Sequence, residues 1–317
     1  MNKTNKFPTW DKLAAAEKAA TGRWGGPNMR VDVYRNNNAI FKAGGYTSDE
    51  GKEVLMPADD PMIAGTKVYF SEFNVDNIPV VTEKTLTGVM NMDSMMCAKL
   101  LIDRGLNPAV LNLASAYRAC GGYDSGSRAQ EEGLSRESTL SRSLYQYFGE
   151  EESKKVNVTF KYMAYPLDLR FGGIYSPNVT VFRDPTEYYR LLEEPYKVGV
   201  ITVAALDFNN RNLQYHDPLT DGFTEEGEEI MRNKIRTIYR LGLSNGHDSL
   251  VLGAFGCGAF KLRPVLVSQL FKEVLEEPEF YHKYKEICFA IMEKGSGPKE
   301  ERGKFAPFYQ TFGCKIR

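Results

Sequence analysis

The segment from Val110 to Tyr147 constrains the fold of this chain more than any other. It opens with a short apolar run, Val110 to Leu113, which is typical of a buried strand in a parallel or mixed sheet. Three closely spaced glycines follow: Gly121, Gly122 and Gly126. Because glycine has no Cβ, the backbone N–H groups of such a loop can approach an anion, and the loop can wrap a diphosphate. A helix is predicted next, continuing to Phe148.

An acidic tripeptide, Gln130, Glu131 and Glu132, stands at the predicted start of that helix. Helix capping is one explanation, because Ser127 and Gln130 have the spacing of a capping box and the helix dipole favours acidic residues in the first turn. Capping does not require a glycine loop immediately before the helix. The combination therefore favours two carboxylates placed beside an anion-binding loop.

A second glycine loop supports this interpretation. The predicted strand Ser249 to Leu252 continues into GAFGCGAF, Gly253 to Phe260, and a helix is predicted from Pro264. Strand, loop and helix N-terminus together suit a phosphate group. Two such loops flanking one cleft would hold a diphosphate through N–H donors, without an excess of basic residues. The formal net charge of −1 agrees with this, and it provides no general attraction for DNA or RNA.

These segments resemble the bacterial-type poly(ADP-ribose) glycohydrolases, which have a macrodomain fold. Their signature is similar to Asn112 to Ala116, then Ala119 to Gly122, then Ala129 to Glu132. Further similar blocks extend over most of the chain: Val33 to Pro57, Gly172 to Asp184, Val198 to Leu206, Ser249 to Pro264 and Glu286 to Met292. One departure is that Ala119-Cys120 replaces a Pro-Gly of the family. We expect the Cys120 side chain to crowd a diphosphate or to alter the loop.

The resemblance implies specific roles for residues of this chain. Glu132 matches the catalytic acid, which later activates water, Glu131 matches the residue that binds the distal ribose, and Phe260 matches the aromatic residue against that ribose. The other residues expected to contact the substrate are Asn112, Gly121, Gly122, Gln130, Gly256, Cys257, Gly258 and Ala259. Adjacent residues of a helix project about 100° apart. Glu131 and Glu132 are therefore expected to divide the work, one protonating the leaving ribose oxygen and the other holding a sugar hydroxyl.

Alternating helices and apolar strands predict an α/β protein. The resemblance implies a three-layer α/β/α macrodomain with a mixed central sheet, a helical and β-rich elaboration at residues 1–75, and a catalytic domain at residues 76–317. The implied function is hydrolysis of ribose–ribose O-glycosidic bonds in poly(ADP-ribose), with ADP-ribose as product. Two alternatives stay open: removal of single ADP-ribose groups from a modified protein or nucleic acid, and binding of ADP-ribose without turnover. Two retained glutamates argue against the second alternative.

Other classes are disfavoured by what the sequence lacks. There is no His-Glu-x-x-His motif, so neither a metal nor another cofactor is expected. The three histidines have no arrangement that would activate Cys120 or Cys257 as a nucleophile. The odd number of five cysteines, without a Cys-x-x-Cys pair, indicates reduced thiols. No signal peptide or membrane span is predicted, so we expect a cytoplasmic protein without direct DNA binding.

The remaining secondary structure is predicted from periodicity and from helix and turn signals. Helices are expected at Asp11 to Thr21, Asp93 to Gly105 and Thr224 to Gly246. Strands are expected at Val31 to Tyr34, Ala39 to Phe41, Thr66 to Phe70, Pro79 to Thr82, Val156 to Tyr162, Val179 to Phe182, Val198 to Leu206 and Glu286 to Met292. The run GEEESKK is expected to be a charged turn, Asp59 and Asp60 to be turn residues, Trp24 to anchor the first helix, and the tail after Gly295 to lie on the surface.

Overall fold

The computed structural model describes residues 7–21, 27–56, 61–75, 78–81, 83–293 and 303–313. The helices are α1 Lys12–Thr21, α2 Pro27–Ala43, α3 Pro61–Gly65, α4 Ser94–Asp103, α5 Gln130–Glu137, α6 Leu140–Tyr145, α7 Glu150–Lys155, α8 Glu225–Ser244, α9 Pro264–Leu275 and α10 Phe305–Phe312. The strands are β1 Gly45–Thr47, β2 Glu53–Leu55, β3 Lys67–Tyr69, β4 Leu86–Met90, β5 Pro108–Leu113, β6 Gly173–Asp184, β7 Arg190–Val203, β8 His216–Asp217, β9 Gly222–Phe223, β10 Ser249–Leu252 and β11 Glu286–Ala290. None of the described helices is long and apolar enough to cross a membrane.

Two compact units divide the chain. Unit 1 comprises Met1–Lys67, Tyr117–Pro166 and Ser176–Val198, and unit 2 comprises Val68–Ala116, Leu167–Tyr175 and Gly199–Arg317. The division at residue 75 that the sequence suggests stays a prediction.

A seven-stranded mixed sheet has the order β3-β6-β7-β5-β10-β11-β4. Parallel pairs join β7 to β5, β5 to β10, β10 to β11, and β11 to β4. The register places Asn112 opposite Thr202. Because these five strands are parallel, their carboxyl ends share one edge of the sheet, and the loops that follow β5 and β10 begin there.

Alternate residues of the unit 2 strands face different layers. Leu250 and Phe289 belong to a large apolar core with residues of α8, α9 and α10. Cys288 precedes Phe289 and so points to the other face, where its Sγ lies 3.0 Å from Sγ of Cys97 in α4. Helices therefore cover both faces of the sheet, and the predicted three-layer α/β/α fold is confirmed.

Polar caps fix two helices that the sequence predicted. Asp93 accepts hydrogen bonds from the N–H groups of Met95 and Met96 and begins α4. Thr224 Oγ1 accepts from the N–H of Gly227, at 3.2 Å, and begins α8. Each cap satisfies N–H groups that have no partner within a first helical turn.

The strands predicted from Val31 to Phe41 are wrong, because this segment belongs to α2. Val33, Ile40 and Phe41 are buried, and their spacing of seven and eight residues places them on one helical face. Burial of that face outweighs the β propensity of the individual residues. Within residues 1–75, the strands of the described part are β1, β2 and β3.

Five other local predictions differ from the structure. The helix predicted to continue to Phe148 ends at Glu137, because Ser138 has an extended backbone, and α6 follows as a separate helix. Residues 156–162 and 79–81 form no strand, and the strand predicted at Val179 to Phe182 is part of the longer β6, Gly173–Asp184. The run Glu150–Lys155 is a helix, with acidic residues in its first turn and basic residues in its last, as the helix dipole favours. Trp24, Asp59, Asp60 and Cys314 lie outside the described residues.

The tail is also more than a surface segment. Phe308 and Phe312 of α10 are buried, and the Phe312 ring stacks on Phe289 of β11 with a centroid distance of 4.3 Å. Three aromatic side chains thus attach α10 to the sheet. No periodic pattern of sufficient length indicates this short helix in the sequence.

Candidate active site

The acidic tripeptide begins α5 without forming a capping box. The N-cap residue is Ala129, which makes no side-chain cap. Ser127 instead lies against the glycine loop: a Cβ on Gly122 would be 2.2 Å from its Oγ. Capping therefore does not explain these carboxylates.

Glu132 is buried, with 6% of its surface exposed, and its two carboxylate oxygens have different surroundings. Oε1 accepts a hydrogen bond from the N–H of Gly122 at 2.8 Å. Oε2 is also buried, yet within the described part of the chain it has no hydrogen-bond partner. A buried carboxylate oxygen without a partner is costly in a folded protein, so its presence points to a functional role.

Gly121 is required by the two carboxylates. A Cβ at this position would lie 2.3 Å from Glu132 Oε1 and 3.1 Å from Glu131 Oε2, and the backbone φ is +52°. Glu131 and Glu132 are adjacent on α5, and their carboxylates converge on this one glycine. This convergence was not expected from helical geometry alone.

The N–H groups of the first glycine loop are largely engaged. Gly121 donates to Arg118 O at 3.1 Å, and Gly122 donates to Glu132. In this conformation the loop closes a turn and holds a glutamate. The contact of Gly121 and Gly122 with substrate stays a prediction.

Cys120 does not project from this loop. Its side chain is fully buried, and its φ of +62° is uncommon for a residue with a Cβ. Burial, followed by the charge of Glu131, raises the thiol pKa well above its ordinary value. The expected effect of Cys120 on a diphosphate or on the shape of the loop stays a prediction, and a thiol so rarely ionised is a poor nucleophile.

Tyr165 is a neighbour of the acid pair that sequence reasoning missed. Its side chain is buried, and among the described residues its hydroxyl has no hydrogen-bond partner. Burial and then the charge of Glu131 raise its pKa well above the ordinary value. No motif or spacing in the sequence links Tyr165 to the glutamates.

Asn37 ties the glycine loop to α5. Its Nδ2 donates to Tyr123 Oη at 2.7 Å and to Arg136 O at 3.0 Å, while its Oδ1 accepts from Arg183 Nε at 2.7 Å. Arg183 is fully buried, and desolvation lowers its pKa to about 9. Its other groups donate to Tyr189 O and Asn36 Oδ1. This network, also missed from the sequence, fixes the loop that carries Gly121.

The second glycine loop, in unit 2, has available N–H donors. The N–H groups of Gly256, Gly258, Ala259 and Phe260 donate to no other described residue. Carbonyls of the loop instead accept, Gly256 O from Leu262 N at 3.1 Å and Gly258 O from Lys261 N at 3.3 Å. Successive unused N–H groups form an anion-binding concavity.

Gly256 is essential to the shape of this loop. It has a φ of +73°, and a Cβ would lie 2.4 Å from Leu262 Cδ1 and 2.8 Å from Ala205 Cβ. Cys257 is buried, its thiol donates to Phe255 O at 3.4 Å, and burial raises its pKa to about 12. Cys257 is therefore not an activated nucleophile.

The last two residues predicted to contact the substrate, Phe260 and Asn112, also belong to unit 2. Phe260 is half-buried against the core. Asn112 is completely buried at the end of β5, where its Nδ2 donates to Thr202 Oγ1 at 3.2 Å. The structure therefore groups Gly121, Gly122, Gln130, Glu131 and Glu132 in unit 1, and Asn112 and Gly256 to Phe260 in unit 2.

The chain has a macrodomain-like α/β/α fold and two buried adjacent acids, Glu131 and Glu132, at the start of α5. A family model, the catalytic domain of the microbial-type poly(ADP-ribose) glycohydrolases (PARG), matches residues 35–184. The resemblance to this family that the sequence indicated is confirmed. No curated protein matches the chain.

Solved structures extend the similarity beyond residues 35–184. PARG from Thermomonospora curvata bound to the inhibitor ADP-HPD is 28% identical with a TM-score of 0.68, covering 89% of this chain and 98% of that one. A second PARG structure from that organism is 26% identical with a TM-score of 0.68, covering 89% and 99%. PARG from Deinococcus radiodurans in complex with ADP-ribose is 25% identical with a TM-score of 0.61, covering 81% and 98%.

Proposed function

We propose that this protein is a poly(ADP-ribose) glycohydrolase, which hydrolyses ribose–ribose O-glycosidic bonds and releases ADP-ribose. The family match and the similar PARG structures support the reaction class. The observation that carries the proposal is the unequal environment of the two Glu132 oxygens.

Glu132 is suited to act as the general acid. The Gly122 N–H holds Oε1 and fixes the carboxyl group, which leaves Oε2 for the substrate. In its protonated form, Glu132 gives its proton to the leaving ribose oxygen as the glycosidic bond breaks. A water molecule then attacks the anomeric carbon and gives a proton back to Glu132, so the acid is regenerated.

Glu131 is suited to orient the sugar. Its carboxylate approaches the same glycine as that of Glu132, which supports a role as acceptor of a hydrogen bond from a ribose hydroxyl. Two adjacent acids on one helix do not flank a bond as an acid and a nucleophile do in ordinary retaining glycosidases. In this proposal Glu132 is the acid and Glu131 binds the sugar, so each of the two adjacent glutamates has its own role.

The second glycine loop supplies the diphosphate site in this proposal. The available N–H groups from Gly256 to Phe260 would donate to phosphate oxygens, and Phe260 would contact the distal ribose. Asn112 would meet the substrate at the end of β5. Poly(ADP-ribose), free or attached to protein, is the proposed partner, and ADP-ribose is the product.

The test is release of ADP-ribose from purified poly(ADP-ribose). Glu132→Gln keeps the size of the side chain and an acceptor for the Gly122 N–H, but it removes the acid. We expect a loss of about 10²- to 10⁴-fold in kcat, the usual contribution of general acid–base catalysis, with binding of ADP-ribose retained. Glu151→Gln, a change at an exposed glutamate of the same unit, is the matched control and should leave release unchanged.

Two results would contradict the proposal. If Glu132→Gln released ADP-ribose as fast as the unchanged protein, Glu132 would not be the general acid. Binding of ADP-ribose without any release would leave a protein that binds but does not hydrolyse the polymer. A parallel assay on a mono-ADP-ribosylated protein then separates the two alternatives. A mono-ADP-ribosyl hydrolase would release the ADP-ribose group from that protein, and a protein that only binds ADP-ribose would not.

A further inference from the structure

Lys304 lies beside the second glycine loop although it is distant from it in sequence. A Cβ placed on Gly258 would be 3.6 Å from Lys304 Nζ. The charge of Lys304 also acts on Cys257 in the same loop, where it opposes the effect of burial on the thiol pKa. All these residues belong to unit 2. A cationic side chain therefore reaches the loop that has unused N–H donors.

The backbone of Lys304 is held in place independently of its side chain. Glu293 Oε1 accepts from the N–H of Lys304 at 2.8 Å, and Oε2 accepts from the N–H of Phe305 at 3.2 Å. Glu293 is itself fixed to Asn91 by two hydrogen bonds, Glu293 N to Asn91 Oδ1 at 3.0 Å and Asn91 Nδ2 to Glu293 O at 3.2 Å. The start of α10 is thereby anchored beside the sheet.

The Lys304 ammonium has no carboxylate partner among the described residues. The neighbouring Glu293 carboxylate is used by two backbone N–H groups. The side chain is half-buried rather than extended into solvent. Its three N–H donors bond to no residue of the described ranges, and we take them to serve a ligand at the loop.

We propose that Lys304 binds the diphosphate of ADP-ribose at the Gly256–Phe260 loop. The loop N–H groups supply directed but uncharged donors, and Lys304 supplies the positive charge that a dianionic diphosphate favours. This inference rests on the proposed function, because it concerns the same ligand. The signature blocks of the sequence do not include Lys304, so they give no indication of this role.

Binding of ADP-ribose, measured by calorimetry, tests the proposal. Lys304→Met removes the charge and leaves the anchoring N–H groups of the backbone intact. We expect its Kd for ADP-ribose to rise about tenfold, which is about 1.4 kcal/mol. Lys304→Arg should retain most of the affinity. Lys272→Met, at an exposed lysine of α9, should bind like the unchanged protein.

Two further readouts separate charge from a structural effect. Adenosine lacks the diphosphate, so Lys304→Met and the unchanged protein should bind it equally. The dependence of log Kd for ADP-ribose on log salt concentration should become shallower in Lys304→Met, because one ionic contact is lost. Equal affinity of Lys304→Met and the unchanged protein for ADP-ribose would overturn the proposal. An equal loss in Lys304→Arg and Lys304→Met, or an equal loss for adenosine, would also overturn it.

Release of ADP-ribose from the polymer, measured on the same proteins, separates this proposal from the enzymatic one. Binding that depends on Lys304, without release by the unchanged protein, would support the Lys304 site and refute the glycohydrolase. Release with unchanged Kd and KM in Lys304→Met would refute the Lys304 site and support the glycohydrolase. Absence of ADP-ribose binding by the unchanged protein would refute both.

Discussion

Replacement of Gly121 by alanine should have a small effect on stability, from backbone strain, and a large effect on activity, from displacement of the Glu132 carboxylate. The new Cβ would lie 2.3 Å from Glu132 Oε1, a distance at which the carboxylate must move. Movement breaks the hydrogen bond from the Gly122 N–H, which at present holds Oε1 at 2.8 Å. Gly121→Ala should therefore misplace the proposed acid without removing it.

The effect on stability is set by the backbone. Alanine at a φ of +52° costs roughly 1–2 kcal/mol in the left-handed region. The carboxylates are the flexible ends of side chains, so their displacement adds less. We expect the free energy of unfolding, measured with urea, to fall by about 1–2 kcal/mol.

The effect on activity should be much larger. General acid catalysis contributes about 10²- to 10⁴-fold, so kcat for ADP-ribose release should fall by at least about 100-fold. Gly51→Ala is the matched control in the same unit, because Gly51 has a φ of +86° and a Cβ there would meet nothing within 4 Å. It should lose similar stability and keep full activity. Similar kcat values for Gly121→Ala and Gly51→Ala would refute the role assigned to the loop.

Three further predictions concern stability in unit 2. Lys234 is buried, and desolvation lowers its pKa from 10.5 to about 8, so Lys234→Met should stabilise the protein at pH 7 by about 3 kcal/mol. In urea titrations this gain should shrink as pH rises from 8 towards 10.5. In that range the folded protein loses the Lys234 proton and its desolvation cost, while the unfolded chain still holds the proton. Lys272→Met should show neither effect. Burial lowers the pKa of His247 below 6.5, so its neutral form stabilises the fold fully above pH 6.5 and less as pH falls; His247→Gln should remove that part of the pH dependence of the melting temperature. Thr224→Ala removes a helix cap and should cost about 1 kcal/mol in urea unfolding, whereas Thr224→Ser should not.

Much of the unit 2 fold was predictable because its signals are local. The strand at Ser249 to Leu252 is a short apolar run between turn residues, and α8 has a threonine cap and a regular apolar face. Ile230, Ile235 and Ile238 on that apolar face are all buried. Such signals depend on neighbours in the chain. In unit 2 the tertiary contacts favour the same secondary structure as these local signals, so the predictions agree with the structure.

Predictions failed where burial decided between two local possibilities. The segment that contains Val33, Ile40 and Phe41 has β-prone residues, and only a partner for its helical face makes it α2. The tail after Gly295 looked polar, yet Phe308 and Phe312 find a place on the sheet. Neither choice can be made from a window of sequence, because the deciding contacts are distant in the chain.

The sequence by itself determined the strand, glycine loop and helix that follow one another from Val110 and again from Ser249, the position of the acidic tripeptide, and the resemblance to the PARG family. These features are encoded by residue type and spacing, and they need no knowledge of packing. The tertiary structure alone decided that Glu131 and Glu132 converge on Gly121 and that one Glu132 oxygen is held while the other has no partner. It also decided that Lys304 reaches Gly258. The reason is physical: hydrogen bonds and close approaches between residues far apart in the chain depend on where folding places them, and the linear pattern does not contain those distances.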